Sequence, residues 1–235
     1  AIAPMVINVL NMQTQASYQM TNWGFYSEQI ADYYSRNLLA DQIDPNAPAA
    51  ERELHGRLWR MIDPYFYRER VTIPKLLVHG TNDRYWNLYA TQFYWNDLVG
   101  PKFILTLPNV GHDLGKEREK ALRTIAAYAK LVSDGEELPA MTWENSATAD
   151  GYTLAVTSDI PAHRAKLWVA YNEGRDFREA QWSSTDLPPL KSGWGNFFAT
   201  VKKPETGYVG YYIELETEYK GIPCSLTTEV FNPEN

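Results

Sequence analysis

An acidic residue and a histidine, 29 positions apart and each on a loop after an apolar run, are the residues of this chain best suited to chemistry. The stretch Ile73-Pro-Lys-Leu-Leu-Val-His-Gly-Thr-Asn-Asp83 reads as a strand ending in a Gly-x-x-Asp loop, and Leu105-Thr-Leu-Pro-Asn-Val-Gly-His112 as a strand ending in a Gly-His loop. A carboxylate at Asp83 suits acceptance of a hydrogen bond from a histidine Nδ1–H, which fixes the tautomer and stabilises the imidazolium. Histidine is the side chain that ordinarily exchanges protons near neutral pH, so His112 is the matching candidate base. Asn-Asp pairs also cap ordinary turns, and surface histidines are common. The two loops together, acid before histidine, carry the catalytic reading.

That order is the one in which an α/β-hydrolase presents its acid and base, each at the C-terminal end of a parallel strand, after a nucleophile on a Gly-x-Ser-x-Gly elbow. No such elbow occurs, and none of the serines follows a strand with glycines on both sides. The expected nucleophile therefore lies on sequence upstream of residue 1, or is absent. Tyr85 and Trp86 follow the acid and are candidate pocket residues. The recurrence of Trp86, Tyr89, Ala90, Phe93 and Tyr94 also predicts the core face of a helix after the loop. His79 ends its strand at the core edge, while His55 and His163 read as structural or solvated. No His-Glu-x-x-His or comparable spacing is present, so neither a metal nor a cofactor is expected.

The elements needed to hold such loops are legible on either side of residue 140. Before it, apolar runs at 5–10, 75–79 and 103–107 alternate with helix-length segments at 28–39, 49–61 and 117–132. That alternation predicts a parallel sheet covered by helices. After it the period changes to two: Tyr152, Leu154 and Val156; Leu167, Val169 and Tyr171; Val209, Tyr211, Ile213 and Leu215; Leu226, Thr228 and Val230. Turn sequences between these runs predict a small antiparallel β-sandwich, Ig-like in kind. The expected division is 1–139, the C-terminal portion of an α/β-hydrolase domain, and 140–235, the sandwich. Trp182, Trp194, Phe197 and Phe198, near the Lys191-Ser-Gly-Trp-Gly turn, are expected in the core or at the domain interface.

Composition narrows the classes further. With 44% hydrophobic residues among 235, the chain can bury a large core. A net charge of −7 with no basic stripe argues against nucleic acid, and no apolar run is long enough to span a bilayer. The single Cys224 excludes an internal disulfide and leaves the compartment open.

The segment over 63–86, from Asp63-Pro-Tyr-Phe-Tyr to His-Gly-Thr-Asn-Asp-Arg-Tyr-Trp86, resembles the PhoPQ-activated pathogenicity-related protein family. Tyr94-Trp-Asn-Asp-Leu98, Pro108-Asn-Val-Gly-His112, Pro4-Met-Val-Ile-Asn-Val-Leu-Asn-Met12 and Gly24-Phe-Tyr-Ser-Glu-Gln-Ile-Ala-Asp-Tyr33 resemble it too. The resemblance implies an α/β-hydrolase whose serine elbow precedes the segment like residues 1 to 12, with Asp83 and His112 as acid and base. It also implies export to the periplasm or the outside, and an association with virulence. The chain is then expected to be the C-terminal portion of a serine hydrolase, acting on a small-molecule ester or a peptide. The N-terminal remainder of the domain, on the same or a companion chain, is its partner. The alternative is a secreted binding or signalling protein on a vestigial hydrolase fold.

Overall fold

The structure, a computed structural model, describes residues 1–189 and 195–233. Helices α1 (Met12–Trp23), α2 (Ala31–Tyr34) and α3 (Ala49–Ile62) precede two strands, β1 (Lys75–Gly80) and β2 (Lys102–Leu107), and α4 (Arg118–Ser133) follows them. Seven more strands complete the described chain: β3 (Met141–Ala147), β4 (Gly151–Ser158), β5 (Arg164–Asn172), β6 (Ser183–Leu187), β7 (Phe197–Lys202), β8 (Tyr208–Tyr219) and β9 (Ile222–Thr227). The architecture is mixed α/β. A six-stranded sheet has the order β1-β2-β9-β8-β5-β6, and a three-stranded antiparallel sheet the order β3-β4-β7.

The run Leu76-Leu-Val78 lies at the centre of a strand buried on both faces, as parallel strands covered by helices are. It pairs in parallel with β2, from Lys75 opposite Lys102 to Gly80 opposite Leu107. On one face Leu76, Val78, Phe103, Leu105 and Leu107 pack with Ala121 and Tyr128 of α4. On the other, Leu77 and Ile104 meet Tyr94, Trp95 and Leu98. The period-two segments after 140 form strands whose inward residues make one core between the sheets, with Leu154, Val156, Ala199 and Val201 facing Leu167, Tyr211, Ile213 and Leu215. The boundary expected at 139 falls between α4 and β3, and the larger sheet runs across it. There Ile104 of β2 lies opposite Thr227 of β9, and the Thr106 amide donates to Thr227 Oγ1 at 3.0 Å.

Three expected elements take a different form. Residues 1–10, expected to form a buried strand, belong instead to a distorted edge beside β1, held by isolated parallel bridges Ile2–Lys75 and Met5–Val78. Pro4 has no N–H to donate and Val6 sits at φ 53°, a costly conformation for a β-branched residue, so the ladder does not propagate. The predicted helix over 28–39 shrinks to a 3₁₀ turn, Glu28–Ile30, followed by α2, and Asn37 at φ 53° turns the chain away. The helix expected after the acid loop is two 3₁₀ turns, Ala90–Phe93 and Trp95–Asp97. This stretch is rich in Asn, Thr and aromatic residues of weak helix propensity, and it buries Trp86, Tyr89, Ala90 and Tyr94 through tertiary packing instead. Of the aromatics expected at the core or interface, Trp182 and Phe197 are buried and Phe198 is exposed, while Trp194 and the turn from Lys191 lie outside the described residues.

Gly80, the last residue of β1, lies against the loop that follows β2: a Cβ there would stand 2.4 Å from the Val110 carbonyl oxygen and 2.7 Å from that of Gly111. Both obstacles are backbone and can yield little. Gly80→Ala is therefore expected to lower stability by about 1–3 kcal/mol, the usual cost of overpacking, as a shift in the urea midpoint at unchanged slope. A midpoint equal to the parent's would contradict this close approach.

Candidate functional site

The loops after β1 and β2 are joined through their backbones before any side chain is considered. Thr81 N–H donates to the Leu107 carbonyl at 2.9 Å, and Asn82 N–H to the Val110 carbonyl at 3.0 Å. The Asn109 amide donates to Thr81 Oγ1 at 2.9 Å. Because the strands end at the same level, the two loops emerge side by side and bring Asp83 within reach of His112. Asp83 Oδ2 lies 2.9 Å from His112 Nδ1, and Asp83 Oδ1 accepts from the Tyr85 amide at 2.8 Å.

The two side chains occupy different environments. Asp83 is buried, and burial raises its carboxyl above the usual carboxylate range, opposed by the Tyr85 amide, the hydrogen bond to His112 and the His112 charge. His112 is 39% exposed at its side chain. With Nδ1–H directed at the acid, Nε2 is the nitrogen left to accept a proton, and it has no hydrogen-bond partner among the described residues. The Tyr85 ring stacks on the imidazole at 4.0 Å between centroids and 29° between planes, which restrains the ring from the side. Trp86 is buried in a cluster with Met12, Ala16, Ile30 and Trp59, against which Tyr85 is packed. The arrangement suits a proton relay: a buried acid, an oriented imidazole and an accessible Nε2.

The remaining titratable candidates stand apart from this pair. His55 Nε2 lies 2.9 Å from the Asn37 carbonyl, and the free Cys224 is half-buried, with burial pushing its thiol up to about 11. Among the described residues no group of three His, Cys, Asp or Glu side chains is placed to hold a metal ion, and no helix is long and apolar enough to cross a membrane. Sequence reasoning did not single out Asn82 and Asn109. Asn82 Nδ2 donates to the carbonyls of Phe177, Arg178 and Ala180, and Asn109 exchanges two hydrogen bonds with the Trp182 backbone. One hint was available: an asparagine two positions before Gly111 suits the left-handed backbone that Asn109 adopts, φ 56°.

Comparison with known proteins adds a family and a relative. The family model described as PhoPQ-activated pathogenicity-related protein matches residues 1–178. The autocrine proliferation repressor protein A of Dictyostelium discoideum is 25% identical over 241 residues, covering 93% of this chain and 47% of that protein. The chain thus spans about half the length of this curated relative. Two solved structures align with part of the chain: a Br derivative of BhCBM56, at 18% identity over 43% of this chain and 97% of that one with a TM-score of 0.30, and the β-1,3-glucan binding domain of a family 56 carbohydrate-binding module, at 14% over 40% and 99% with a TM-score of 0.28.

His79 is fully buried in β1 with neither ring nitrogen hydrogen-bonded among the described residues, and burial depresses its pKa to about 4. The fold thus disfavours the protonated ring, and between the ordinary value of 6.5 and about 4 the unfolded chain binds more protons. The stability due to this group is complete above that window and is lost as pH falls through it, in total about 3 kcal/mol. His79→Leu should remove this component, giving a shallower fall of the urea midpoint between pH 6.5 and pH 4. Identical pH profiles for the two proteins would refute the assignment.

Proposed function

Because the chain belongs to the PhoPQ-activated pathogenicity-related protein family, we propose that it is the C-terminal portion of an α/β-hydrolase-type serine hydrolase acting on esters or peptides, with Asp83 as the acid and His112 as the general base. The observation that carries this reading is the 2.9 Å contact between Asp83 Oδ2 and His112 Nδ1, made by loops at the ends of adjacent parallel strands and leaving Nε2 exposed. In the proposed reaction Nε2 takes the proton from a serine hydroxyl as its oxygen attacks the substrate carbonyl. Asp83 stabilises the imidazolium, and His112 then returns the proton to the leaving group. Water, activated by the same nitrogen, hydrolyses the acyl-enzyme. The serine and the oxyanion hole belong to sequence outside these residues, as part of the same domain on the same or a companion chain. The apolar edge beside β1, where Ile2, Met5 and Ile7 are exposed, is where that remainder would pack. Tyr85, stacked on His112, would form one wall of the substrate pocket, with the buried Trp86 supporting it from behind.

A second reading is favoured by one observation, the similarity to the Dictyostelium relative, an autocrine proliferation repressor. On that reading the protein is exported and acts by binding a partner, its Asp–His pair a structural remnant. One experiment on the complete protein separates the two: labelling with a fluorophosphonate, and ester or peptide hydrolysis, for the parent, Asp83→Asn and His112→Ala. The hydrolase reading expects an adduct on a serine outside residues 1–235 and losses of about three to four orders of magnitude in both variants. No adduct on the parent, or activity within a few-fold of it in the variants, would overturn this reading and favour the binding one.

A further inference from the structure

The segment 177–182, between β5 and β6, hydrogen-bonds to both of the loops that carry Asp83 and His112. Asn82, immediately before the acid, gives its amide group to three carbonyls of this segment: Phe177 at 3.3 Å, Arg178 at 3.1 Å and Ala180 at 2.8 Å. Asn109, three residues before His112, donates Nδ2 to the Trp182 carbonyl at 2.9 Å and accepts the Trp182 amide on Oδ1 at 2.7 Å. The segment is itself fixed from behind. Phe177 and Trp182 are buried against Tyr212 and the bare backbone of Gly210, where a Cβ would stand 2.8 Å from the Trp182 ring. From the front, Arg178 pairs with Asp176 at 2.7 Å and Glu28 at 3.4 Å and lies over the rings of Trp23 and Phe25. Arg84, next to the acid, joins the same ring of charges through Glu28 and Glu179.

We propose that this segment, through Asn82 and Asn109, is a positioning element that holds the acid loop and the histidine loop at hydrogen-bonding distance, so that the second β-region sets the geometry of the proton relay. The proposal rests on the hydrolase reading for its kinetic consequence, but its structural claim concerns the Asp83–His112 bond itself. The two asparagines have five main-chain atoms of the segment within hydrogen-bonding reach, the two N–H groups of Asn82 being shared among three carbonyls, and main-chain atoms of a segment packed on both sides resist following a drifting loop. Either loop, released, keeps its strand and its backbone bonds to the other but loses the anchor that fixes its outer half.

Asn109→Gly is the discriminating variant, because glycine retains the left-handed backbone at φ 56° and deletes the side-chain bonds. Asn82→Ala deletes the other three and leaves Asn109 joined to Trp182, so it carries the same test should the first variant not fold. In the complete protein each is expected to slow fluorophosphonate labelling and kcat by about 100-fold with KM within a few-fold, the scale of a misplacement near 1 Å. In parallel, isotope-labelled histidine would show the His112 Nδ1–H resonance, slowly exchanging in the parent, broadened or lost in the variants. The double variant should be little worse than the stronger single one, because both act on one element. Parent-like labelling together with an unchanged His112 resonance in both variants would overturn the proposal. If the parent itself neither labels nor hydrolyses, the hydrolase reading fails separately, and the resonance still decides: its loss supports the positioning role and its persistence refutes it.

Discussion

The site depends on the parallel pairing of β1 with β2, which ends with Gly80 opposite Leu107 and leaves both following loops at one edge of the sheet. A parallel pair sends both chains out in the same direction, which is why residues 29 apart in sequence meet without a long excursion. Had the strands ended at different levels, the backbone bonds from Thr81 to Leu107 and from Asn82 to Val110 could not form. The absence of a side chain at Gly80 is part of the same constraint, since the Val110 and Gly111 carbonyls occupy the space a Cβ would need. Side-chain chemistry is laid over a contact already fixed by main chain.

Burial then gives the pair its character. Enclosing a carboxylate costs free energy unless hydrogen bonds replace lost water, and Asp83 receives one on each oxygen, from the Tyr85 amide and from His112. Burial still prevails in the direction of its pKa. The hydrogen bonds from the imidazole and the Tyr85 amide favour the carboxylate form of this acid against the cost of its burial. His79, one strand turn earlier, shows the opposite solution: an imidazole enclosed without partners and kept neutral.

What could be read from the sequence follows from how local each feature is. The strands β1 and β2, the helices α3 and α4 and the alternating strands β4, β5 and β8 are written in apolar period, and the acid and histidine loops are announced by Gly80 and Gly111 after apolar runs. The helix expected around Trp86 to Tyr94 failed because aromatic spacing reports which side chains are buried, not which backbone buries them. The strands β3, with its polar Glu144-Asn-Ser146, and β6, Ser183-Ser-Thr-Asp-Leu187, carry too little apolar alternation to be recognised before their partners are known. The hold of Asn82 and Asn109 on residues 177–182 spans more than 70 positions of sequence and has no periodicity at all.

That long-range hold changes what the second β-region is. A module tethered by a linker contributes binding and leaves the chemistry where it was, and a boundary at residue 139 suggests such a tether. Yet β9 continues the sheet beside β2, and α4 is tied to β8 by an ion pair between Lys120 and the fully buried Glu214, which also accepts from the Trp168 indole at 2.8 Å. Burial pushes the Glu214 carboxyl up, but the Lys120 charge and these hydrogen bonds outweigh it, so the group is held below its ordinary range and stays charged. Removing either partner of such a pair leaves an uncompensated buried charge, so the interface resists sliding as well as separation. Polar contacts of fixed geometry, unlike apolar packing, specify register. Here they seat residues 177–182 against the two loops, so the loops that β1 and β2 set side by side are also held from the second β-region.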